Sequence, residues 1–162
     1  MRQKIKERKE LFKIIKELKA RRKRIVFTNG CFDLLHIGHV RYLEEAKALG
    51  DVLVVGVNSD TSVRKLKGPQ RPILSEEERT EILSGLECVD YVTLFNEMDP
   101  LNLITSLQPD VLVKGGDWAK EQIVGREVVE RSGGEVVILP FVGKASTSTL
   151  IETILKRYEK SA

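Results

Sequence analysis

From residue 24 onward, short β-branched apolar runs alternate with longer stretches in which apolar residues recur at helical spacing. That alternation is the pattern of βαβ units in a parallel sheet. Five runs read as strands, at 24–28, 52–57, 91–95, 111–113 and 136–139. They are apolar on both faces, as strands covered by helices on either side are. Helices are predicted at 39–49, 76–86, 100–106, 120–131 and 148–158. Ahead of them, Leu11, Ile14, Ile15 and Leu18 fall on one helical face within a segment rich in Lys, Arg and Glu. This predicts an amphipathic helix docking on the domain, its basic side solvated. The expected architecture is α/β: one doubly wound, five-stranded parallel sheet over 24–162, with an N-terminal helical extension at 1–23. Ligands of such sheets bind at the carboxyl ends of the strands, where the strand order reverses.

Composition narrows the function classes. A chain of 162 residues that is 41% hydrophobic suits one domain with a substantial core. No apolar stretch approaches the roughly 20 residues that span a bilayer, and the basic N-terminus lacks the apolar core of a secretory signal, so a cytoplasmic protein with no membrane partner is expected. Cys31 and Cys88 are the only cysteines; with no C-x-x-C pair they read as free thiols rather than a zinc site or a disulfide. A net charge of +3, with Asp and Glu interspersed among Lys and Arg, argues for no nucleic-acid partner. Local basic clusters still suit small anions.

Four segments carry candidate chemistry. The first strand leads into Gly30-Cys31-Phe32-Asp33-Leu34-Leu35-His36-Ile37-Gly38-His39, which contains both histidines of the chain. A helix beginning near Gly38 offers unpaired amides and the positive end of its dipole to an anion. Imidazoles beside those amides stabilise charge developing on a phosphoryl group. After the second strand, Arg64-Lys65-Leu66-Lys67-Gly68-Pro69-Gln70-Arg71-Pro72 reads as a basic, turn-rich loop. After the fourth comes Lys114-Gly115-Gly116-Asp117-Trp118, and Lys144-Ala145-Ser146-Thr147-Ser148-Thr149 precedes the last helix, where its hydroxyls serve as N-caps.

The His36-to-His39 segment resembles the HxGH signature of the nucleotidyltransferase superfamily, in its cytidylyltransferase-like branch with a Rossmann-like fold. The Ser/Thr-rich helix start resembles that superfamily's second signature, with Lys144 near the place of an arginine common in cytidylyltransferases. Together with Phe27-Thr28-Asn29, Val57-Asn58-Ser59-Asp60 and Leu86-Glu87-Cys88-Val89-Asp90, these segments are most similar to the adenylyltransferases that make ADP-heptose. In many of those a sugar kinase is fused in front; the present chain has no room for one and is expected to be the free-standing form.

The resemblance implies transfer of AMP from ATP to a sugar 1-phosphate, D-glycero-β-D-manno-heptose 1-phosphate first, giving ADP-heptose and pyrophosphate for lipopolysaccharide core synthesis. It implies catalytic roles for His36, His39, Lys65 and Lys67. The nucleotide would meet Gly30, Cys31, Phe32, Gly38, Arg79, Ser146 and Thr147, and the acceptor Asp33, Lys114, Gly115, Asp117 and Trp118. Mg²⁺ is expected to arrive on the triphosphate, with no protein metal site, and relatives imply a homodimer. Two other functions stay open: a cytidylyltransferase acting on glycerol 3-phosphate or a phosphoamine, and a non-catalytic nucleotide-binding module.

Overall fold

In a computed structural model, which describes residues 2–116, 119–140 and 146–158, five parallel strands form one sheet. The strands are β1 (Ile25–Gly30), β2 (Val52–Asn58), β3 (Tyr91–Phe95), β4 (Val111–Gly115) and β5 (Glu135–Leu139), in the order β3-β2-β1-β4-β5. The helices are α1 (Arg8–Ala20), α2 (Ile37–Lys47), α3 (Asp60–Lys67), α4 (Glu76–Ser84), α5 (Leu101–Leu107), α6 (Arg126–Arg131) and α7 (Thr147–Tyr158).

Strand periodicity divides the core into two layers. Ile25 and Phe27 of β1, Val52 and Val54 of β2 and Leu112 of β4 share one apolar cluster with Leu103 and Ile104 of α5 and Val129 of α6. The alternate residues Val26, Leu53, Val55 and Val111 face the other way, against Leu43 of α2 and Leu83 of α4. The chain therefore covers one face on the way from β1 to β3 and the other from β3 to β5, which makes the sheet doubly wound and reverses the strand order between β1 and β4. Leu11 and Ile15 of α1 are buried in the first layer, and Arg8 forms a two-pronged ion pair with Glu97 just past β3. Ahead of α1, Ile5 pairs with Val92 at the edge of the sheet.

Three expectations are corrected. The segment after β2 is not a loop as far as Pro72: residues 60–67 are helical, capped by the Ser59 hydroxyl accepting from the Ser62 amide, and the turn begins only at Gly68, whose φ of 97° ends the helix. The single helix expected at 120–131 is a 3₁₀ turn at Lys120–Gln122 followed by α6. Gly125 breaks it with a φ of 87°, where a side chain would also meet Ile104 Cδ1 at 2.6 Å. Finally, β1 continues to Gly30, because β2 pairs with it as far as Gly30 opposite Val57.

Candidate active site

The cleft follows from a split in the sheet. β1 and β4 pair at Val26–Val111 and Phe27–Leu112, yet each strand continues along its outer neighbour, β1 to Gly30 beside β2 and β4 to Gly115 beside β5. The carboxyl ends of the two central strands therefore part. Tyr42 from α2 fills the gap: its hydroxyl lies 2.6 Å from Thr28 Oγ1 and donates to the Val113 carbonyl at 3.2 Å. Burial pushes the Tyr42 phenol up to about 12, so it remains a neutral donor. Above it opens a cleft of about 640 Å³, lined by residues that include Asn29, Gly30, Cys31, His39, Asn58, Lys67, Arg71, Lys114 and Ser146.

His39 lines the cleft, and His36 stacks on it. His36 is the N-cap of α2 with extended backbone, and its side chain makes no capping bond. The two rings stack at 3.8 Å, and Phe32 packs at 5.3 Å against His39. Nδ1 of each ring is buried with no hydrogen-bond partner among the described residues. Burial, and then the neighbouring His36, hold His39 down at about 4, and burial also lowers His36. Two neutral imidazoles stand at a helix start that no side chain caps, where the helix dipole favours an anion.

The connection from β1 to α2 is braced from below. Phe32 adopts a φ of 46° with its side chain buried. The next residue, Asp33, has a fully buried carboxylate that accepts from Arg71 Nε at 2.5 Å and from the amides of Ile73 and Leu74 at 2.8 and 3.0 Å. Arg79 is buried as well, and its guanidinium donates to the carbonyls of Leu74 and Cys31 and to Asp60 Oδ1 at 3.1, 2.6 and 2.7 Å. Every nitrogen of that guanidinium has a protein acceptor, so Arg79 ties the Cys31 backbone to the start of α3 instead of standing as a free cation in the cleft.

The remaining expected site residues divide. Gly30, Cys31, Phe32, Asp33, His39, Lys67, Lys114, Gly115, Ser146 and Thr147 line the cleft together. His36 joins them through its stacked ring, with Gly38 between the two histidines in the first turn of α2. Lys65 is exposed on α3 and is not among the lining residues. Ser146 caps α7 by accepting from the Thr149 amide at 3.0 Å, and Thr147 Oγ1 reaches the Leu34 carbonyl at 3.5 Å. Asp117, Trp118 and Lys144 lie outside the described residues. Sequence reasoning missed Asn29, Tyr42, Asn58 and Arg71. Arg71 was in plain view in the basic run, whereas Asn29 and Tyr42 are recognisable only once β1 and β4 are neighbours. Among the described residues, no three His, Cys, Asp or Glu side chains converge to hold a metal ion, and no helix is long and apolar enough to cross a membrane.

Comparison with known proteins fits this geometry. A family model described as cytidylyltransferase-like matches residues 27–151. The bifunctional proteins HldE of Geobacter sulfurreducens and Pelobacter propionicus are 56% and 57% identical over 155 residues, which is 96% of this chain and 32% of theirs. The chain thus spans about a third of the length of those relatives. Among solved structures, the lipopolysaccharide core biosynthesis protein of Thermoplasma volcanium superposes with a TM-score of 0.63 at 31% identity, over 76% of this chain and 99% of that one. Pantoate-β-alanine ligase of Francisella tularensis, solved in complex with β-γ ATP and β-alanine, shares the fold with a TM-score of 0.64 at 19% identity, over 96% of this chain and 77% of its own. With its histidine pair at the head of α2 and a match running from β1 into α7, the chain belongs to the cytidylyltransferase-like family of nucleotidyltransferases.

Proposed function

We propose that the chain transfers AMP from ATP to a sugar 1-phosphate, with D-glycero-β-D-manno-heptose 1-phosphate the first candidate, and releases pyrophosphate. The observation that carries the transfer chemistry is the stacked pair of neutral histidines at the uncapped start of α2, with His39 lining the cleft. The choice of a sugar rests on likeness to the ADP-heptose-forming adenylyltransferases and to the lipopolysaccharide core biosynthesis protein of T. volcanium.

An oxygen of the acceptor's phosphate attacks the α-phosphorus of ATP in line. A new P–O bond forms as the bond to the bridging α–β oxygen breaks, and that oxygen leaves with pyrophosphate. The acceptor is already anionic at neutral pH, so no protein nucleophile is required. Catalysis then consists of positioning and charge stabilisation. His36 and His39 donate to the α- and β-phosphates, Lys65 and Lys67 neutralise the triphosphate and the departing pyrophosphate, and Ser146 and Thr147 close the far side. Burial keeps the Cys31 thiol protonated, in line with its role as part of the wall. A Mg²⁺ ion carried on the triphosphate would neutralise part of its charge, and Lys65 and Lys67 would supply the remainder.

Pyrophosphate release, measured for the four nucleoside triphosphates crossed with heptose 1-phosphate, glycerol 3-phosphate and phosphocholine, tests the proposal. ATP with heptose 1-phosphate is expected to be the fastest pair. A preference for CTP with glycerol 3-phosphate or phosphocholine would replace it by the cytidylyltransferase reading. ATP binding without release for any acceptor would leave a nucleotide-binding module.

A further inference from the structure

The two flanks of the cleft hold their cations differently. On the β2 side, Arg71 and Arg79 are ion-paired with Asp33 and Asp60, while Lys65 and Lys67 are exposed. On the β4 side, Lys114 is mostly buried, and its one hydrogen-bonding partner among the described residues is neutral: Nζ donates to Asn29 Oδ1 at 2.6 Å, across the split between β4 and β1. An ammonium has three N–H donors. Burial disfavours a charged ammonium, and it draws Lys114 down to about 8. A mostly buried cation lining a cleft, with a neutral oxygen as its acceptor among the described residues, suits an anionic ligand entering that cleft.

We propose that Lys114, steered by Asn29 across the parted ends of β1 and β4, is the receptor for the phosphate of the acceptor, while the exposed lysines of α3 are left to the triphosphate. This rests on the reading of the chain as a nucleotidyltransferase with a phosphorylated acceptor. In-line displacement places the incoming oxygen and the leaving pyrophosphate on opposite sides of the α-phosphorus. β1, which leads to the histidine pair, lies between β2 and β4 in the sheet, so α3 and Lys114 stand on opposite flanks of the histidines. Tyr42, bonded to both Thr28 and Val113, fixes the two strand ends from which Asn29 and Lys114 project. Asn29 is thus a positioning residue.

The test uses three variants of the full chain: Lys114→Gln removes the charge, Lys114→Arg keeps it, and Asn29→Asp leaves the lysine in place but neutralises it with an adjacent carboxylate. Losing a charged hydrogen bond worth about 1.5–3 kcal/mol corresponds to roughly 10- to 150-fold. With the acceptor that the wild type uses best, Lys114→Gln and Asn29→Asp are expected to raise the acceptor KM by at least ~10-fold, with the ATP KM within ~2-fold of wild type. Lys114→Arg recovers most of that loss. In parallel, inorganic phosphate is titrated calorimetrically into protein loaded with a non-hydrolysable ATP analogue. Binding is expected in the wild type and not in Lys114→Gln or Asn29→Asp. Equal changes in both KM values, a change confined to ATP, phosphate binding retained in the two variants, or none in the wild type would overturn the role of Lys114. A wild type that releases pyrophosphate with no acceptor sinks the proposed function alone, and the phosphate titration then decides Lys114 by itself.

Discussion

The charges below the histidine loop and the charge beside it are buried to opposite ends. Asp33, Arg71, Arg79 and Asp60 satisfy one another and the backbone around them, whereas among the described residues Lys114 meets only a neutral amide oxygen. A completed buried network holds structure in place and becomes costly when one member is removed. An incomplete one costs stability in the free protein and is useful only when a ligand completes it. Burial alone therefore does not mark a functional residue in this cleft; what separates the two regions is a carboxylate partner, present for Arg71 and Arg79 and absent for Lys114 among the described residues.

The sharpest way to break that contrast is to remove one cation from each region. Arg79→Leu strands the Cys31 and Leu74 carbonyls and leaves Asp60 without its partner, and is expected to cost about 3–5 kcal/mol in urea unfolding. Lys114→Met removes a charge that burial already disfavours, so its unfolding free energy should stay within about 1 kcal/mol of wild type or rise. Equal destabilisation by the two would erase the distinction.

Next in size is a pH effect at the histidines. His39 titrates at about 4 in the folded chain, against an ordinary value of 6.5. Below pH 6.5 the unfolded chain binds a proton there that the folded chain refuses until about 4, so stability present above 6.5 is lost as pH falls through that window. Urea midpoints at pH 7 and pH 5 should therefore differ more for wild type than for His39→Gln. Identical pH slopes would mean that the ring is not held neutral by its surroundings.

The smallest expected effect lies at α7. Ser146→Ala removes the bond to the Thr149 amide and should cost about 1 kcal/mol of local stability, read as faster hydrogen exchange in the first turn of that helix. Unchanged exchange there would show that the Ser146 hydroxyl is not holding the helix start.

Much of this was legible in the sequence. The five strands announce themselves as β-branched runs, and His36 and His39 sit at the only place in the chain where two imidazoles adjoin glycines at a strand-to-helix turn. Helix α3 was obscured because Val63 and Leu66 are its only large apolar residues and Gly68-Pro69 follows at once, although Ser59 carried a usable capping signal. Position 125 illustrates a different loss: a helical pattern ran through a glycine with a φ of 87° that is packed against Ile104, twenty-one residues away in sequence. The distinction between Arg79 and Lys114 was hidden for a related reason. Each is a basic residue in a plausible motif, and what separates them is a partner 19 residues away for one, at Asp60, and 85 for the other, at Asn29. Those meetings are made by the order of the strands and cannot be read from local spacing.

The central claim is that the histidine pair stabilises nucleotidyl transfer. Its most direct test is the steady-state rate of pyrophosphate release from ATP and the preferred acceptor by His39→Ala, in protein whose melting matches wild type. The expected rate is at least ~100-fold lower, the scale for losing one positioned donor to a developing charge. A folded His39→Ala chain that releases pyrophosphate at a near-normal rate would contradict it.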